Sequence, residues 1–349
     1  MSGVGDAPRI RLQSLDVMRG LAALAVLLFH YSVILPRFVP AAQPIPLSFG
    51  EGGYGVHLFF IVSGFVILMS LERSTARQFL ISRFTRLYPV YWLACLTTFA
   101  LLSLTHWIEY QVTPGQFLVN LTMLQSYVRV ADVDGVYWSL AYELGFYAFL
   151  FAALRLCGPR IIPVLPHYMV GGAILFRFAA AYIPHPLHLL LMIHQYAELF
   201  GCGLALYLLR TRGFSLAQAA ILPAAPLVEA LYDGWHGLIV VSLIVLVMSF
   251  ACLSHWQPGR LARPLIWLGG ISYALYLTHQ MLGYAVIDRL QAMGAGPWAS
   301  FAIALGLALL LAHALTHFWE RPVSAWLKAR LTAWPARGRP SGKVGQLPG

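Results

Sequence analysis

Charge is what this chain has least of. Asp, Glu, Lys and Arg make up 10% of its 349 residues, against about 25% in a soluble globular domain, and that excludes a soluble fold. Cysteine is scarce as well. Cys95, Cys157, Cys202 and Cys252 show no CxxC spacing, which argues against a disulfide framework or thiolate metal site and for buried structural thiols. There is no GxSxG elbow, phosphate-binding Walker loop or dinucleotide fingerprint. His313 and His317 stand four apart beside Glu320 but lack the Glu of HExxH, so no metal and no resident cofactor are expected. The opening MSGVGDAPRIRLQS has neither the apolar core nor the small-residue cleavage site of a secretory signal, so the first span is expected to stay as an uncleaved anchor. No internal repeat is visible, which counts against the repeat-built transporter folds.

Apolar residues are abundant, at 59%. Windows of about 20 mainly apolar residues, enough to cross a bilayer, recur along the whole chain. The pattern predicts an all-α fold, a polytopic membrane bundle of about ten transmembrane helices near 15–35, 54–71, 87–105, 138–156, 162–183, 192–209, 215–232, 237–254, 265–287 and 298–319. With the N-terminus in the cytoplasm, eighteen of the 23 basic residues fall on the cytoplasmic side. Only Arg37, Arg129 and Arg289 fall outside, while Arg19 and Arg177 lie within spans. The net charge of +10 is thus read as the positive-inside rule rather than a nucleic-acid footprint. Both termini are expected in the cytoplasm, with one domain over 1–333 and a disordered basic tail over 334–349 near anionic lipid. Gln116–Tyr127 is too short to cross and reads as an outer or re-entrant segment. Pro223 and Pro226 predict a kinked or poorly formed seventh span.

A few polar residues sit where lipid would exclude them. In Leu15–Ser32, LDVMRGLAALAVLLFHYS, the eleven steps from Arg19 to His30 turn about 1100° and rise about 16 Å, so both side chains share one helix face. Asp16, three residues before Arg19, joins that stripe and can pair with it. Between the second and third spans, Arg83 and Arg86 stand three apart and offer forked donors suited to phosphate oxygens. An ordinary positive-inside loop would look the same. Counting from the nearest basic residues places His30, Glu143, Glu198 and His279 in one polar layer in the outer half of the bilayer, although each could also be a hydrogen-bonded packing residue. His57 belongs at the outer mouth, Ser63 and Gly64 read as close helix packing, and His185 and His188 read as an outer turn.

Six segments carry a resemblance. LDVMRGLAALAVLLFHYS, GYGVHLFFIVSGFVI, ISRFTRLYPVYW, WSLAYELGFYAF, LGGISYALYLTH and FWERP occur in the order seen in the acyltransferase-3 family of integral-membrane acyltransferases, and together they span residues 12–327. The chain resembles the members that modify exopolysaccharides, in the bacterial cytoplasmic membrane. The resemblance implies transfer of an acyl group, often acetyl, from cytoplasmic acyl-CoA as co-substrate to a carbohydrate hydroxyl. It places the family's Arg–ten residues–His motif on Arg19 and His30, its Arg-x-x-Arg motif on Arg83 and Arg86, and its WSL…E carboxylate on Glu143. Ser139, Tyr142 and His279, with Asp16, are then expected on the substrate side. His57 departs from the acidic residue that many relatives carry after GV. On this reading the arginines hold the phosphates of CoA, His30 is general base or acyl-carrying nucleophile, and Glu143 orients its ring or stabilises the imidazolium. A transporter or flippase of a lipid-linked saccharide would also need a polar track through the bundle, and a non-catalytic membrane scaffold is the third possibility.

Overall fold

The computed structural model describes residues 12–105, 110–182, 192–254 and 256–333. The tail beyond Ala333 and the pair His185 and His188 lie outside them. Every regular element among the described residues is helical. Eleven helices frame the bundle: α1 (Gln13–Phe29), α2 (Gly55–Glu72), α3 (Ala76–Thr105), α4 (Trp138–Cys157), α5 (Leu165–Ala179), α6 (Ala197–Arg212), α7 (Ile221–Leu253), α8 (Arg263–Thr278), α9 (Gln280–Ala292), α10 (Pro297–Ala314) and α11 (Arg321–Ala333). Seven stretches among the described residues are long and apolar enough to cross a bilayer. The difference of three from the expected ten lies in α6, in the 265–287 span, and in the 215–232 and 237–254 spans, which fall in one stretch, Leu216–Leu253. The 16 residues of α6 are buried almost throughout by protein and fall short of the length needed to cross. The predicted 265–287 span is broken at His279 into α8 and α9.

Two boundaries differ from the sequence reading for identifiable reasons. Thr75 and Gln78 exchange backbone-to-side-chain hydrogen bonds of 2.9 and 3.3 Å, a capping pair that starts α3 well before its apolar run. Arg83 and Arg86 therefore stand on a continuous 30-residue helix, not in a loop. In α7 the prolines do little harm: Pro223 sits in the first turn, where its missing N–H has no helical partner to lose. The break comes at Asp233 and Gly234, where the glycine takes φ +58°, in the gap expected between the 215–232 and 237–254 spans.

The core is organised on α1. It packs along α8 on one side and α2 on another, and α2 packs in turn against α6. Glycines set these distances. A Cβ on Gly269 would lie 1.9 Å from the Asp16 carbonyl oxygen, and one on Gly64 2.2 Å from that of Phe200, so the α1–α8 and α2–α6 backbones touch. The 114–128 segment is a short helix and a 3-10 turn that lie against α3, held by Tyr91 to the Asn120 carbonyl at 2.7 Å and Trp92 to the Leu121 carbonyl at 2.9 Å. It does not cross, as expected. Cys95, Cys202 and Cys252 are buried thiols, but Cys157, at the end of α4, is exposed.

Candidate active site

A cavity with about 750 Å³ of empty space, part of it open to solvent, lies among α1, α2, α3, α4 and α8. Three guanidinium groups, those of Arg19, Arg83 and Arg86, line it together with one carboxylate, Glu143. Hydroxyls of Ser63, Ser139, Tyr147, Ser272, Tyr273 and Tyr276 complete its polar surface, and Phe59, Phe60, Val62, Val66 and Leu140 its apolar one. Along α2 the wall runs from Ile67 to Val56, eleven residues or about 16 Å of helix. The cavity is thus a slot about as long as the Arg19–His30 separation, with arginines at one end.

Glu143 belongs to the arginine end. Its Oε1 accepts a hydrogen bond from Ser63 Oγ at 2.8 Å and a short one from the Tyr147 hydroxyl, and it lies within coulombic reach of Arg19 and Arg83. The single polar layer expected from depth counting is therefore split. Arg19 does not mark the membrane surface, because it stands six residues inside α1 and lines the cavity. Ser63, read as a packing residue, turns out to hold this carboxylate. Its neighbour Gly64 does the packing. Asp16 is buried where α1 meets α8, within coulombic reach of Arg19.

His30 lies just beyond the cavity wall, at the first residue of a five-residue π-helical stretch, His30–Ile34. Such insertions recur at functional sites because they turn side chains out of the regular register. Its partners decide its protonation pattern. Nδ1 stands 2.8 Å from the Val26 carbonyl oxygen and 3.1 Å from His279 Nε2. A carbonyl can only accept, so His30 Nδ1 carries the hydrogen. The same reasoning applies to His279, whose Nδ1 faces the Leu275 and Tyr276 carbonyls at 3.1 and 2.9 Å. His279 Nε2 is then a lone pair aimed at the His30 N–H, and His30 Nε2 is a lone pair that no group among the described residues engages. The ring beside His30 is accordingly that of His279, at 4.9 Å between centroids, and not the carboxylate of Glu143.

His279 is fixed by the break between α8 and α9. Its carbonyl accepts from the Tyr31 hydroxyl at 2.8 Å. Buried Asp134 accepts from the Val136 amide at 3.3 Å and the Met281 amide at 3.4 Å, tying the start of α9 to the entry of α4. Tyr276 lines the cavity, hydrogen-bonds Ser139 at 2.6 Å, and sets its ring 6.0 Å from that of His279. Tyr142 falls outside the cavity wall. It donates to Gln195 at 2.8 Å and packs in an aromatic group with Trp138, Tyr196 and Phe60. Glu198 is buried on α6, away from the cavity, with no hydrogen-bond partner for either carboxylate oxygen among the described residues. His57 pairs with Glu229 at 3.3 Å.

Of the residues singled out from sequence, Arg19, Arg83, Arg86, Ser139 and Glu143 share the cavity. His30 and His279 form a pair at its far end. Ser63, Tyr147, Tyr273 and Tyr276 were missed, although Tyr147 stands one helical turn from Glu143 and Tyr276 three residues before His279.

Comparison with known proteins adds the following. The model of the acyltransferase-3 acyltransferase domain matches residues 12–317. ORF330 of Acidianus two-tailed virus is 26% identical over 76% of this chain and 81% of its own length. The exopolysaccharide production protein ExoZ of Rhizobium meliloti is 26% identical over 86% of this chain and 98% of its own. The acyltransferase MdmB of Streptomyces mycarofaciens is 25% identical over 85% and 89%. No solved structure matches.

Proposed function

The chain belongs to the acyltransferase-3 family of membrane acyltransferases, and from that premise we propose that it moves an acetyl group from cytoplasmic acetyl-CoA to a hydroxyl of a cell-surface or lipid-linked carbohydrate. The observation that carries the reading is that three guanidinium groups and Tyr276 line one slot, while behind Tyr276 the His279 ring, 6.0 Å away, hydrogen-bonds His30. Arg83 and Arg86 with Arg19 hold donor phosphates, since forked guanidinium donors match phosphate oxygens. The pantetheine arm then lies along α2, and the thioester passes Tyr276 to reach His30. The likeness to ExoZ supports a polysaccharide acceptor.

The chemistry falls to His30 Nε2, the nitrogen left free. It takes the proton of the acceptor hydroxyl as the alcohol oxygen attacks the thioester carbonyl. The C–S bond breaks, and the imidazolium returns the proton to the departing thiolate. His279 is a positioning residue here: it fixes the His30 ring and strengthens its hold on the Nδ1–H as charge develops. Glu143 balances the arginine charge. On this reading the chain has ten spans, with both ends at the cytoplasmic face of a bacterial inner membrane, consistent with the skew of its basic residues.

The test is transfer by purified protein in nanodiscs with acetyl-CoA and a hydroxyl acceptor. The His30→Ala variant is expected to lose transfer while still binding coenzyme A. Full activity in that variant would eliminate the reading.

A further inference from the structure

A second pocket opens on the opposite face of α8 from the catalytic slot. Ile271 lines it, while the next two residues, Ser272 and Tyr273, line the slot. It encloses about 1090 Å³ of empty space, open to solvent. Its polar walls are Gln13, Arg260, Arg263, Trp267, His317 and Arg321, with no acidic residue among its lining. Arg260 and Arg263 are exposed and form no hydrogen bond or ion pair among the described residues. Arg321 is held in place: its Nη1 donates to His317 Nε2 at 3.1 Å, and His317 Nδ1 donates to the His313 carbonyl at 2.9 Å. A neutral imidazole thus aims one guanidinium without cancelling its charge. Trp267 is fixed likewise by its indole N–H on His313 Nδ1 at 3.2 Å, with its ring partly exposed.

Three guanidinium groups in one open pocket repel each other unless an anion lies between them. The first turn of α8 begins there at Arg263, and its positive dipole end adds to the pull on an anion. We propose that this pocket is a phosphate-binding site distinct from the slot. Phosphate chemistry reaches a cytoplasmic membrane surface from two sources, the nucleotide phosphates of the thioester donor and the headgroups of anionic lipid. Both would use the same three guanidinium forks, with the Trp267 ring as a face for a base or for the headgroup boundary. The nucleotide arm rests on the donor reading above, and the lipid arm does not.

The experiment uses the full chain in nanodiscs and the double variant Arg260→Gln/Arg263→Gln, with Arg321→Gln as a second variant. Coenzyme A binding is measured calorimetrically in neutral phosphatidylcholine discs. Retention of phosphatidylglycerol from mixed discs is read by native mass spectrometry. Loss of charged hydrogen bonds predicts at least about a tenfold weaker association for the true ligand. A tenfold rise in the coenzyme A Kd assigns the nucleotide. Loss of retained phosphatidylglycerol with an unchanged coenzyme A Kd assigns the lipid headgroup. Should the wild type fail to bind coenzyme A while the variant loses the lipid, the donor reading falls and this pocket stands. Folded variants that keep both ligands, with Arg83→Gln alone weakening coenzyme A, overturn the pocket and leave the donor reading intact.

Discussion

The pairing of His30 with His279 makes a prediction whose size follows from the hydrogen bond between them. While His30 is neutral, its Nδ1–H is shared between the Val26 carbonyl at 2.8 Å and His279 Nε2 at 3.1 Å. A neutral bond of this kind contributes about 0.5–1.5 kcal/mol, and one from a charged donor about 1.5–3 kcal/mol. The extra ~1–1.5 kcal/mol exists only once His30 has taken the acceptor's proton, so it lowers the barrier without tightening substrate binding. At about 1.36 kcal/mol per tenfold, His279→Ala should lower kcat about tenfold and leave KM for the thioester donor near the wild-type value. His279→Gln, whose amide oxygen can take the place of Nε2 as acceptor, should recover most of the loss. Because His279 is buried, thermal midpoints of both variants separate folding from catalysis. Nitrogen chemical shifts of labelled His30 supply a readout that packing alone would not move: the Nδ1–H form, fixed by the Val26 carbonyl, should persist in both proteins, while the Nδ1 resonance shifts in His279→Ala as its second acceptor is lost. A raised KM at unchanged kcat would instead make His279 a substrate ligand, as the sequence had suggested, and would refute the positioning role.

Arg83→Gln and Arg86→Gln should each raise KM for acetyl-CoA about tenfold or more, as lost charged contacts to phosphate, with a smaller effect on kcat; steady-state kinetics at saturating acceptor would show a flat KM if the arginines only balance Glu143. Ser63→Ala removes the 2.8 Å donor to Glu143 and should lower stability by about 1–3 kcal/mol, seen as a drop in thermal midpoint that a wild-type melt would contradict. Gly269→Ala puts a methyl against the Asp16 carbonyl and should cost about 1–3 kcal/mol or more as α1 and α8 part; an unshifted melting curve would show that the helices do not touch there. Burial pushes the Asp134 carboxyl from its ordinary 3.8 up to about 7. A folded value above the unfolded one gives stability that is full below about pH 4 and lost as pH rises through 7. Asp134→Asn, which keeps an acceptor for the Val136 and Met281 amides, should flatten that decline in melts across pH 4.5–7.5, and parallel slopes for the two proteins would exclude Asp134 as its source.

What could be read from the sequence divides along a physical line. Arg19 and His30 belong to one helix, and helical rise and twist fix their spacing whatever surrounds them. The slot wall along α2, from Ile67 to Val56, spans the same eleven steps. The start of α3 was legible in principle, because T-x-x-Q at Thr75–Gln78 is a capping pair, but the apolar run of the span drew attention to where lipid begins rather than where the helix does. The break in α7 also had its signal. Asp233–Gly234 is a turn dipeptide, whereas Pro223 falls in a first turn that proline tolerates.

Partners across helices are another matter. A polar side chain within a bundle must find a donor or acceptor, because lipid supplies none. Its presence in a span therefore announces a partner without naming it. Glu143 could have met His30, Arg19 or Ser63, and depth counted from arginines pointed to His30 because it treated Arg19 as a surface marker. Two contacts that no periodicity encodes decide otherwise. The glycine seam of α1 on α8 sets the distance between those helices, and the break after Thr278 turns His279 onto His30. Once those backbones are in place, the Val26 carbonyl dictates the tautomer of His30 and the Leu275 and Tyr276 carbonyls that of His279, and the free nitrogen of His30 follows. The nitrogen proposed to react is thus specified by main-chain acceptors on two helices, and on that proposal a substitution that moved either helix would disarm it without altering either histidine.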